Sequence, residues 1–228
     1  MSEGSQNITS QITRVTASDG FTFDAYEARP EGGAKGGLVI LQEIFGMTDQ
    51  LKSVAQKYAE QGFDTILPAL FDRTEPGSVI PFSEGARGRD IALALDPEKV
   101  ALDVKASIQA IETGKGVSII GFCWGGGQAM RLGALLEPTS AVAFYGTALQ
   151  NHLKSPPKCP ALFHFGDTDD HTPPEIIEMV RQTIPHAEIH IYPAGHAFAN
   201  DVRETYVADA AKLAHERTIA FLNNQHGA

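Results

Sequence analysis

One cysteine near the middle of the sequence stands in a pattern suited to covalent chemistry. It is the third residue of Gly121-Phe122-Cys123-Trp124-Gly125, which directly follows the β-branched run Val117-Ser118-Ile119-Ile120. A Gly-x-nucleophile-x-Gly turn between a strand and a helix lifts the nucleophile out of the sheet, and the glycines avoid clashes in that strained turn. The spacing therefore predicts a nucleophilic sulfur at Cys123. The alternative is a small buried cysteine on a glycine-rich turn.

Carboxylates and a histidine follow this cysteine, each after a predicted strand. Asp167, Asp169 and Asp170 lie in the polar loop after residues 161–165, and His196 follows residues 188–192. A nucleophilic thiol needs a base to take its proton and an acid to orient that base. The carboxyl ends of strands are the ligand-binding edge of an open α/β sheet, and the order nucleophile, acid, histidine is that of an α/β-hydrolase. We therefore expect these side chains to meet at one sheet edge.

The rest of the pattern supplies the elements that would position them. An Asp-Gly turn at 18–20 joins the alternating runs 12–16 and 21–26, which predicts an antiparallel hairpin. Continuous apolar strands separated by helices follow, as is typical of a mostly parallel sheet covered by helices on both faces. The predicted strands are 38–42, 63–67, 117–120, 141–145, 161–165 and 188–192, and the predicted helices are 49–60, 97–112, 126–136, 174–183 and 203–223.

The length of 228 residues predicts a single α/β domain over 1–228, with a flexible segment at 1–10. Residues 72–95 mix charge, glycine and proline, so we interpret them as a surface excursion near the active site with a short helix at 89–95.

Four motifs resemble the dienelactone hydrolase family, the cysteine branch of the α/β-hydrolases, over about residues 20–221. They are 42–46 (QEIFG), 121–126 (GFCWGG), 166–169 (GDTD) followed by Thr172-Pro173, and 194–198 (AGHAF). The resemblance implies a carboxymethylenebutenolidase-like hydrolase, with Cys123 as nucleophile, His196 as base and Asp169 as acid. Asp167 and Asp170 are then expected to be solvated loop residues.

The resemblance also implies roles for the segment after the first buried strand. Glu43 would sit beside the nucleophile and help to take its proton when substrate binds, although it could instead be an exposed loop acid. The backbone N–H groups of Ile44 and Trp124 would form the oxyanion hole. A thioester acyl-enzyme follows, and its formation favours enol lactones, activated aryl esters and thioesters, because sulfur leaves a tetrahedral intermediate more readily than an alkyl alkoxide does.

The chain departs from the family where a substrate carboxylate would bind. Asn200 stands where relatives have an arginine four residues after the histidine, and Ala197 removes a hydroxyl found in some relatives. Either an arginine of the excursion compensates, or the substrate is a different, less anionic ester or thioester. A redox-sensing or non-catalytic thiol protein on the same fold is the alternative of another class. The candidate substrate-binding residues are Arg73, Arg87, Arg89, Phe45, Phe198 and Asn200.

Charge and cysteine content narrow the partners. The net charge of −10 argues against nucleic acid and anionic membranes. Two cysteines are too few for a disulfide framework, and the first residues lack a basic stretch followed by an apolar one, so we expect a cytoplasmic protein. His164 and His171 flank the loop that carries Asp167, Asp169 and Asp170, without further ligands at metal spacing, so we interpret both as structural or surface residues. The expected partner is a small lactone or ester, with no cofactor and no metal, and the chain is expected to be a monomer or a small homo-oligomer.

Overall fold

The computed structural model describes residues 6–227 of the chain. The chain divides between Ser118 and Ile119 into two compact units, here called the first and second units. Eight strands form a mostly parallel sheet that begins with an antiparallel hairpin, as predicted. The expectation of a single domain stays a prediction.

The first unit contains the hairpin and the segments that follow it. Strand β1 pairs antiparallel with β2, β2 pairs antiparallel with β4, and β3 runs parallel to β4. Residues Leu70–Arg73 and Phe82–Glu84 form two short 3₁₀ helices. The strands are β1 Ile8–Thr16, β2 Thr22–Pro30, β3 Gly36–Leu41 and β4 Phe63–Pro68, and the helices are α1 Asp49–Glu60, α2 Gly85–Ala94 and α3 Pro97–Ile111.

The second unit is parallel throughout. Strand β5 begins just before the division, and β5, β6, β7 and β8 pair in that order. The strands are β5 Val117–Phe122, β6 Ala141–Phe144, β7 Ala161–Gly166 and β8 Glu188–Tyr192, and the helices are α4 Trp124–Leu136, α5 Leu149–His152, α6 Pro174–Thr183 and α7 Ala208–Gln225.

Continuous apolar composition explains the buried strands. Every residue of β3 to β7 is buried, whereas β1 alternates polar side chains and is largely exposed. Helix α3 begins as its sequence predicts, because the Asp96 side chain accepts a hydrogen bond from the Glu98 N–H and Pro97 occupies the first helical position.

Several predicted boundaries need correction. Strand β1 begins at Ile8, inside the segment 1–10 that was predicted to be flexible, and residues 1–5 lie outside the described residues. The flexibility of that segment stays a prediction. Helix α7 begins at Ala208 instead of 203, because the Arg203 and Tyr206 N–H groups close turns and the Val207 N–H bonds the Phe198 carbonyl. The helix of the excursion begins at Gly85, and the short helix α5 was not predicted.

The excursion of residues 72–95 is anchored to the loop after β3. Gly46 and Val79 form an isolated antiparallel bridge, and the Ile80 N–H donates to the Phe45 carbonyl at 2.9 Å. A Cβ atom at Gly88 would lie 2.0 Å from the Ile44 carbonyl oxygen, so only glycine permits this approach. The backbone of residues 44–46 is therefore fixed by the excursion.

Candidate active site

Cys123 sits at the turn between β5 and α4 with a backbone that few side chains adopt. Its φ is 56° and its ψ is −117°. A non-glycine residue in this region costs on the order of 1–3 kcal/mol, and such strain is found at functional sites. Gly121, two residues before the cysteine, must be glycine, because a Cβ atom at this position would lie 1.9 Å from the Gly125 carbonyl oxygen. The strand-to-helix elbow predicted from the sequence is present.

The strained cysteine is held by the segment that follows β6. Its N–H donates to the Phe144 carbonyl at 3.0 Å, and its own carbonyl accepts the Thr147 N–H at 3.1 Å. The first turn of α4 lies so close to this segment that a Cβ atom at Gly126 would be 2.8 Å from the Gly146 Cα atom. The glycines after the cysteine thus allow two backbones to meet and fix the position of the sulfur.

His196 links the cysteine to a buried carboxylate. Its Nε2 atom lies 3.1 Å from the Cys123 Sγ atom, and its Nδ1 atom lies 2.8 Å from Oδ2 of Asp169. Asp169 follows β7 and is 3% exposed, while His196 follows β8. The other carboxylate oxygen, Oδ1, accepts the His171 N–H at 2.8 Å. The three residues that the sequence singled out therefore form one hydrogen-bonded chain.

Two loops carry the acid and the base: the acid loop, residues 167–173 after β7, and the base loop, residues 193–200 after β8. Hydrogen bonds join these two loops. The Asp167 N–H donates to the Tyr192 carbonyl, the Thr168 N–H donates to the Ala194 carbonyl, and the Asp167 carboxylate accepts the Ala194 N–H at 3.1 Å. Asp167 is exposed, as expected of a loop acid, but it also anchors the base loop. The sequence contained no signal for this second role, since it depends on a contact between distant loops.

The charges along this chain follow from its partners. Burial by itself would lower the pKa of His196, but the hydrogen bonds to Asp169 and Cys123 outweigh it and raise that pKa to about 10. Burial would raise the pKa of Asp169, yet the hydrogen bond from His196 and its positive charge leave it below its ordinary value. An imidazolium at His196 therefore places a positive charge next to the sulfur.

Two further rings contact the His196 imidazole. The Tyr145 ring meets it edge to face, with centroids 5.3 Å apart, and the His171 ring lies tilted against it at 4.5 Å. Tyr145 is 1% exposed and adopts a positive φ of 39°, whereas His171 is exposed. The sequence interpretation treated His171 as a structural or surface residue. Its position two residues after Asp169 is the signal that could have drawn attention to it.

The arginines proposed as substrate contacts are mostly committed to carboxylates. The Arg73 guanidinium donates two hydrogen bonds of 2.7 Å to Asp103 and two more to Asp19. Arg87 is paired with Glu75 and Glu84. These ion pairs argue against both residues as anion contacts. Arg89 is exposed, and its side chain has no hydrogen-bond or ion-pair partner among residues 6–227.

The other predicted substrate residues are buried. Asn200 is 1% exposed, and its Oδ1 atom accepts the Val202 N–H at 3.3 Å. Phe198 is fully buried between Tyr145 and Tyr192, and Phe45 is 4% exposed with its ring against Phe82. Their burial favours a packing role for these residues.

The assisting residues are placed as follows. Glu43 comes two residues after the end of β3 and is 3% exposed, so it is not the exposed loop acid of the alternative interpretation. Ile44 follows it in the anchored segment, and Trp124 is the first residue of α4 and is partly exposed. The roles expected for Glu43 and for the N–H groups of Ile44 and Trp124 stay predictions.

Within residues 6–227, no group of three or more His, Cys, Asp or Glu side chains is arranged to hold a metal ion. Over the same residues, no helix combines the length and apolarity needed to cross a bilayer. The expected cytoplasmic location, oligomeric state and lack of nucleic-acid or membrane partners stay predictions.

The fold defines the chain as an α/β-hydrolase, with Cys123 at the turn between β5 and α4. The model of the dienelactone hydrolase family matches residues 23–226, and the chain belongs to this family. Carboxymethylenebutenolidases of Pseudomonas putida and Pseudomonas knackmussii are each 34% identical over 91% of this chain and 94% of their own length.

A solved structure extends the likeness of the fold. A dienelactone hydrolase-like promiscuous phosphotriesterase from metagenomic libraries has a TM-score of 0.80 and 18% identity, over 96% of this chain and 98% of that one. The predicted family and fold class are confirmed, and the chain is a dienelactone hydrolase-like hydrolase.

Proposed function

We propose that the chain hydrolyses an enol lactone or another activated ester through a thioester formed on Cys123. The observation that carries this proposal is the hydrogen-bonded chain from Asp169 through His196 to the sulfur, with distances of 2.8 and 3.1 Å. A buried carboxylate, an imidazole and a nucleophile joined in this way are the arrangement of covalent acyl-transfer catalysis.

The reaction begins with the thiolate of Cys123 and the imidazolium of His196. The sulfur attacks the carbonyl carbon, and the carbonyl oxygen becomes an oxyanion. The carbon–oxygen bond to the leaving group then breaks, and the departing enolate takes a proton from His196, which leaves a thioester. Water attacks the thioester while His196 takes its proton, and the thiolate is released with the carboxylic acid product. Asp169 holds the imidazole in position and stabilises its positive charge in both halves.

The nucleophile constrains the leaving group more than the acyl group. A thiolate is a better leaving group than an alkyl alkoxide, so the intermediate from a simple alkyl ester returns to substrate. An enolate, a phenolate or a thiolate competes with it successfully. The substrate class is therefore a small lactone or ester with a stabilised leaving group, in agreement with the names of the Pseudomonas relatives.

The family resemblance supplies two supporting roles. The backbone N–H groups of Ile44 and Trp124 would receive the oxyanion, and Glu43 would take the thiol proton as substrate binds. The burial of Glu43 and the fixed backbone of residues 44–46 are compatible with these roles. Replacing Glu43 by Gln should lower turnover and leave the fold intact.

Steady-state hydrolysis of p-nitrophenyl acetate and of a dienelactone tests the proposal in wild type and in Cys123→Ser. We expect kcat/KM for both substrates to fall by at least about 10³-fold in the variant, because the nucleophile and the base act as one unit. Cys159→Ser is the matched control and should keep wild-type turnover. Retained hydrolysis in Cys123→Ser would contradict the proposal, as would peroxide-dependent modification of Cys123 in a protein that hydrolyses neither substrate.

A further inference from the structure

Tyr145 is joined to both sides of the sulfur–imidazole contact, although the proposed reaction gives it no role. It is the first residue after β6, stands at a bend of the chain and has a φ of 39°. A bulky non-glycine residue rarely adopts such a value. Strain of this kind persists only where the surrounding structure holds it, and it is found at functional sites. The contacts of Tyr145 therefore show what the strain supports.

The backbone of Tyr145 lies in the segment that holds the nucleophile. The carbonyl of Phe144, the residue before it, accepts the Cys123 N–H at 3.0 Å, and the N–H of Thr147, two residues after it, donates to the Cys123 carbonyl at 3.1 Å. The Tyr145 N–H donates to the His164 carbonyl of β7 at 2.8 Å. The bend thus lies between the two residues that bond the cysteine, and the strained conformation lets both of them reach it.

The side chain of Tyr145 lies against the base loop. Its ring meets the His196 imidazole at a centroid distance of 5.3 Å with 67° between the planes, and it meets the Phe198 ring at 5.4 Å and 74°. Both contacts are edge to face, an arrangement that aromatic pairs favour. Tyr145 is 1% exposed and Phe198 is fully buried. In a close-packed interior, neither ring moves aside without leaving a void.

Two hydrogen bonds alone do not fix the plane of an imidazole. The bonds of His196 through Nδ1 to Asp169 and through Nε2 to Cys123 define an axis across the ring, and the ring can tilt about that axis. A tilt bends both hydrogen bonds out of the ring plane and weakens them. The exposed His171 ring also contacts the imidazole, but the buried Tyr145 ring is the firmer support against such a tilt.

We propose that Tyr145 is a positioning residue whose ring keeps the His196 imidazole aligned with the Cys123 sulfur. Its backbone belongs to the segment that holds the nucleophile and its ring holds the base, so one residue sets the relation between the two. The inference rests on the proposed function, in which the aligned pair carries out both proton transfers. Without the ring, the imidazole is aligned for a smaller fraction of the time, so kcat falls while substrate binding is retained.

Proton NMR of the resting protein tests the alignment without any ester. The Nδ1–H proton of His196 is shared with the Asp169 carboxylate at 2.8 Å, and a charge-assisted hydrogen bond of this kind gives a resonance far downfield. Its loss in Asp169→Asn assigns the signal. Tyr145→Leu removes the aromatic ring and places the same demand on the backbone. We expect the resonance at 25 °C in wild type and its loss by exchange with water in Tyr145→Leu.

Steady-state hydrolysis of p-nitrophenyl acetate gives the second measurement. In Tyr145→Leu, kcat should fall by about 10-fold and KM should stay within about 2-fold, because misalignment of a catalytic group slows the chemical step and not binding. Tyr145→Phe keeps the ring and should stay within about 2-fold of wild type in kcat and retain the resonance.

A matched variant separates positioning from core stability. Phe163→Leu removes another fully buried ring of the second unit, which stacks on Phe165 at 5.6 Å. It should lower stability in urea, as a large-to-small core substitution does, and leave kcat and the downfield resonance unchanged. If Tyr145→Leu does not fold, Tyr145→Met, which fills more of the space, takes its place in both measurements.

Four results would overturn the inference. They are an unchanged resonance and kcat in folded Tyr145→Leu, an equal loss in Tyr145→Phe, which would place the effect in the hydroxyl, an equal loss in Phe163→Leu, and the absence of the downfield resonance from wild type. If wild type hydrolyses neither p-nitrophenyl acetate nor a dienelactone, the proposed function fails, whereas the resonance in the Tyr145 variants still decides whether the ring aligns the imidazole.

Discussion

Two histidines of the second unit, one fully buried and one partly exposed, each form two side-chain hydrogen bonds but differ in the charge that their partners favour. His164 on β7 is fully buried, and both of its ring nitrogens are hydrogen-bonded: Nδ1 to the Tyr192 hydroxyl at 2.8 Å and Nε2 to the Thr218 hydroxyl at 2.9 Å. His196 also uses both nitrogens, but its partners are a carboxylate and a thiol. One ring is held neutral and the other charged.

Burial favours a neutral His164, and its hydroxyl partners fit the neutral ring. The Thr218 hydroxyl donates its hydrogen to the Ala214 carbonyl at 2.9 Å, so it can only accept from His164, and the Nε2 atom must carry the proton. The Nδ1 atom is then left to accept from Tyr192. Burial lowers the pKa of His164 well below its ordinary value, and the nearby charges of His190, His215 and Arg217 lower it further. The comparison of the two histidines shows that the hydrogen-bond partners of an imidazole, and not its burial alone, decide its charge.

Replacing the Asp169 carboxylate should have the largest effect on the difference between the two histidines. In Asp169→Asn, His196 loses the partner that stabilises its positive charge and fixes its proton, so kcat/KM for p-nitrophenyl acetate should fall by about 10³- to 10⁴-fold. Stopped-flow or steady-state assays at pH 7.5 measure this loss, and urea unfolding checks the fold. A decrease of less than tenfold in a folded variant would mean that Asp169 does not set the state of His196.

Removing the neutral histidine should affect stability and spare chemistry. In His164→Phe, the Tyr192 and Thr218 hydroxyls lose their shared partner inside the core. The free energy of unfolding should fall by about 1–3 kcal/mol, because two buried hydrogen bonds are lost and each contributes about 0.5–1.5 kcal/mol. His186→Gln, on the surface, should stay within about 0.5 kcal/mol. A large loss of kcat at unchanged stability would instead place His164 in the catalytic mechanism.

The pH dependence of stability should separate the two rings. The folded pKa of His164 lies below the unfolded value of about 6.5, so the unfolded chain gains the proton first and stability falls as the pH drops below 6.5. The folded pKa of His196 is raised to about 10, so its contribution is complete below about pH 6.5 and is lost as the pH rises toward 10. One histidine gives a slope of at most about 1.4 kcal/mol per pH unit.

Urea midpoints at pH 5.5, 7 and 9.5 measure the loss of stability on the acid side and on the alkaline side, here called the acid arm and the alkaline arm. His164→Phe should flatten the acid arm only, because the alkaline arm belongs to His196. If the variant keeps the acid slope of wild type, the acid sensitivity comes from other groups and the neutral assignment of His164 loses its support.

The sequence predicted the residues whose roles depend on local pattern. Cys123 is marked by flanking glycines that the turn itself requires, and the parallel arrangement of β5 to β8 follows from continuous apolar runs. These signals lie within a few neighbouring residues, so the succession of strands and helices along the chain and the hydrogen-bonded chain through His196 could be anticipated. The boundaries of α1, α6 and β8 were also predicted to the residue.

The contacts between distant segments could not be anticipated. Arg73 was a reasonable anion contact until the structure paired it with Asp103 and Asp19, residues 30 and 54 positions away. The same limit applies to Asp167, which anchors the base loop, and to His171, whose ring meets a histidine 25 positions later in the chain. A single sequence gives the types of these residues but no distance between them.

The hydrogen bonds between the acid loop and the base loop have a consequence for protein engineering. The hydrogen bonds of Asp167 and Thr168 to the base loop join two segments that are separated by an entire helix and strand. A Cβ atom at Gly166 would lie only 2.3 Å from the Ala194 carbonyl oxygen, so the loops also fit each other sterically. In a chimera, residues 166–173 and 193–200 form a single cassette that must be transplanted from one parent.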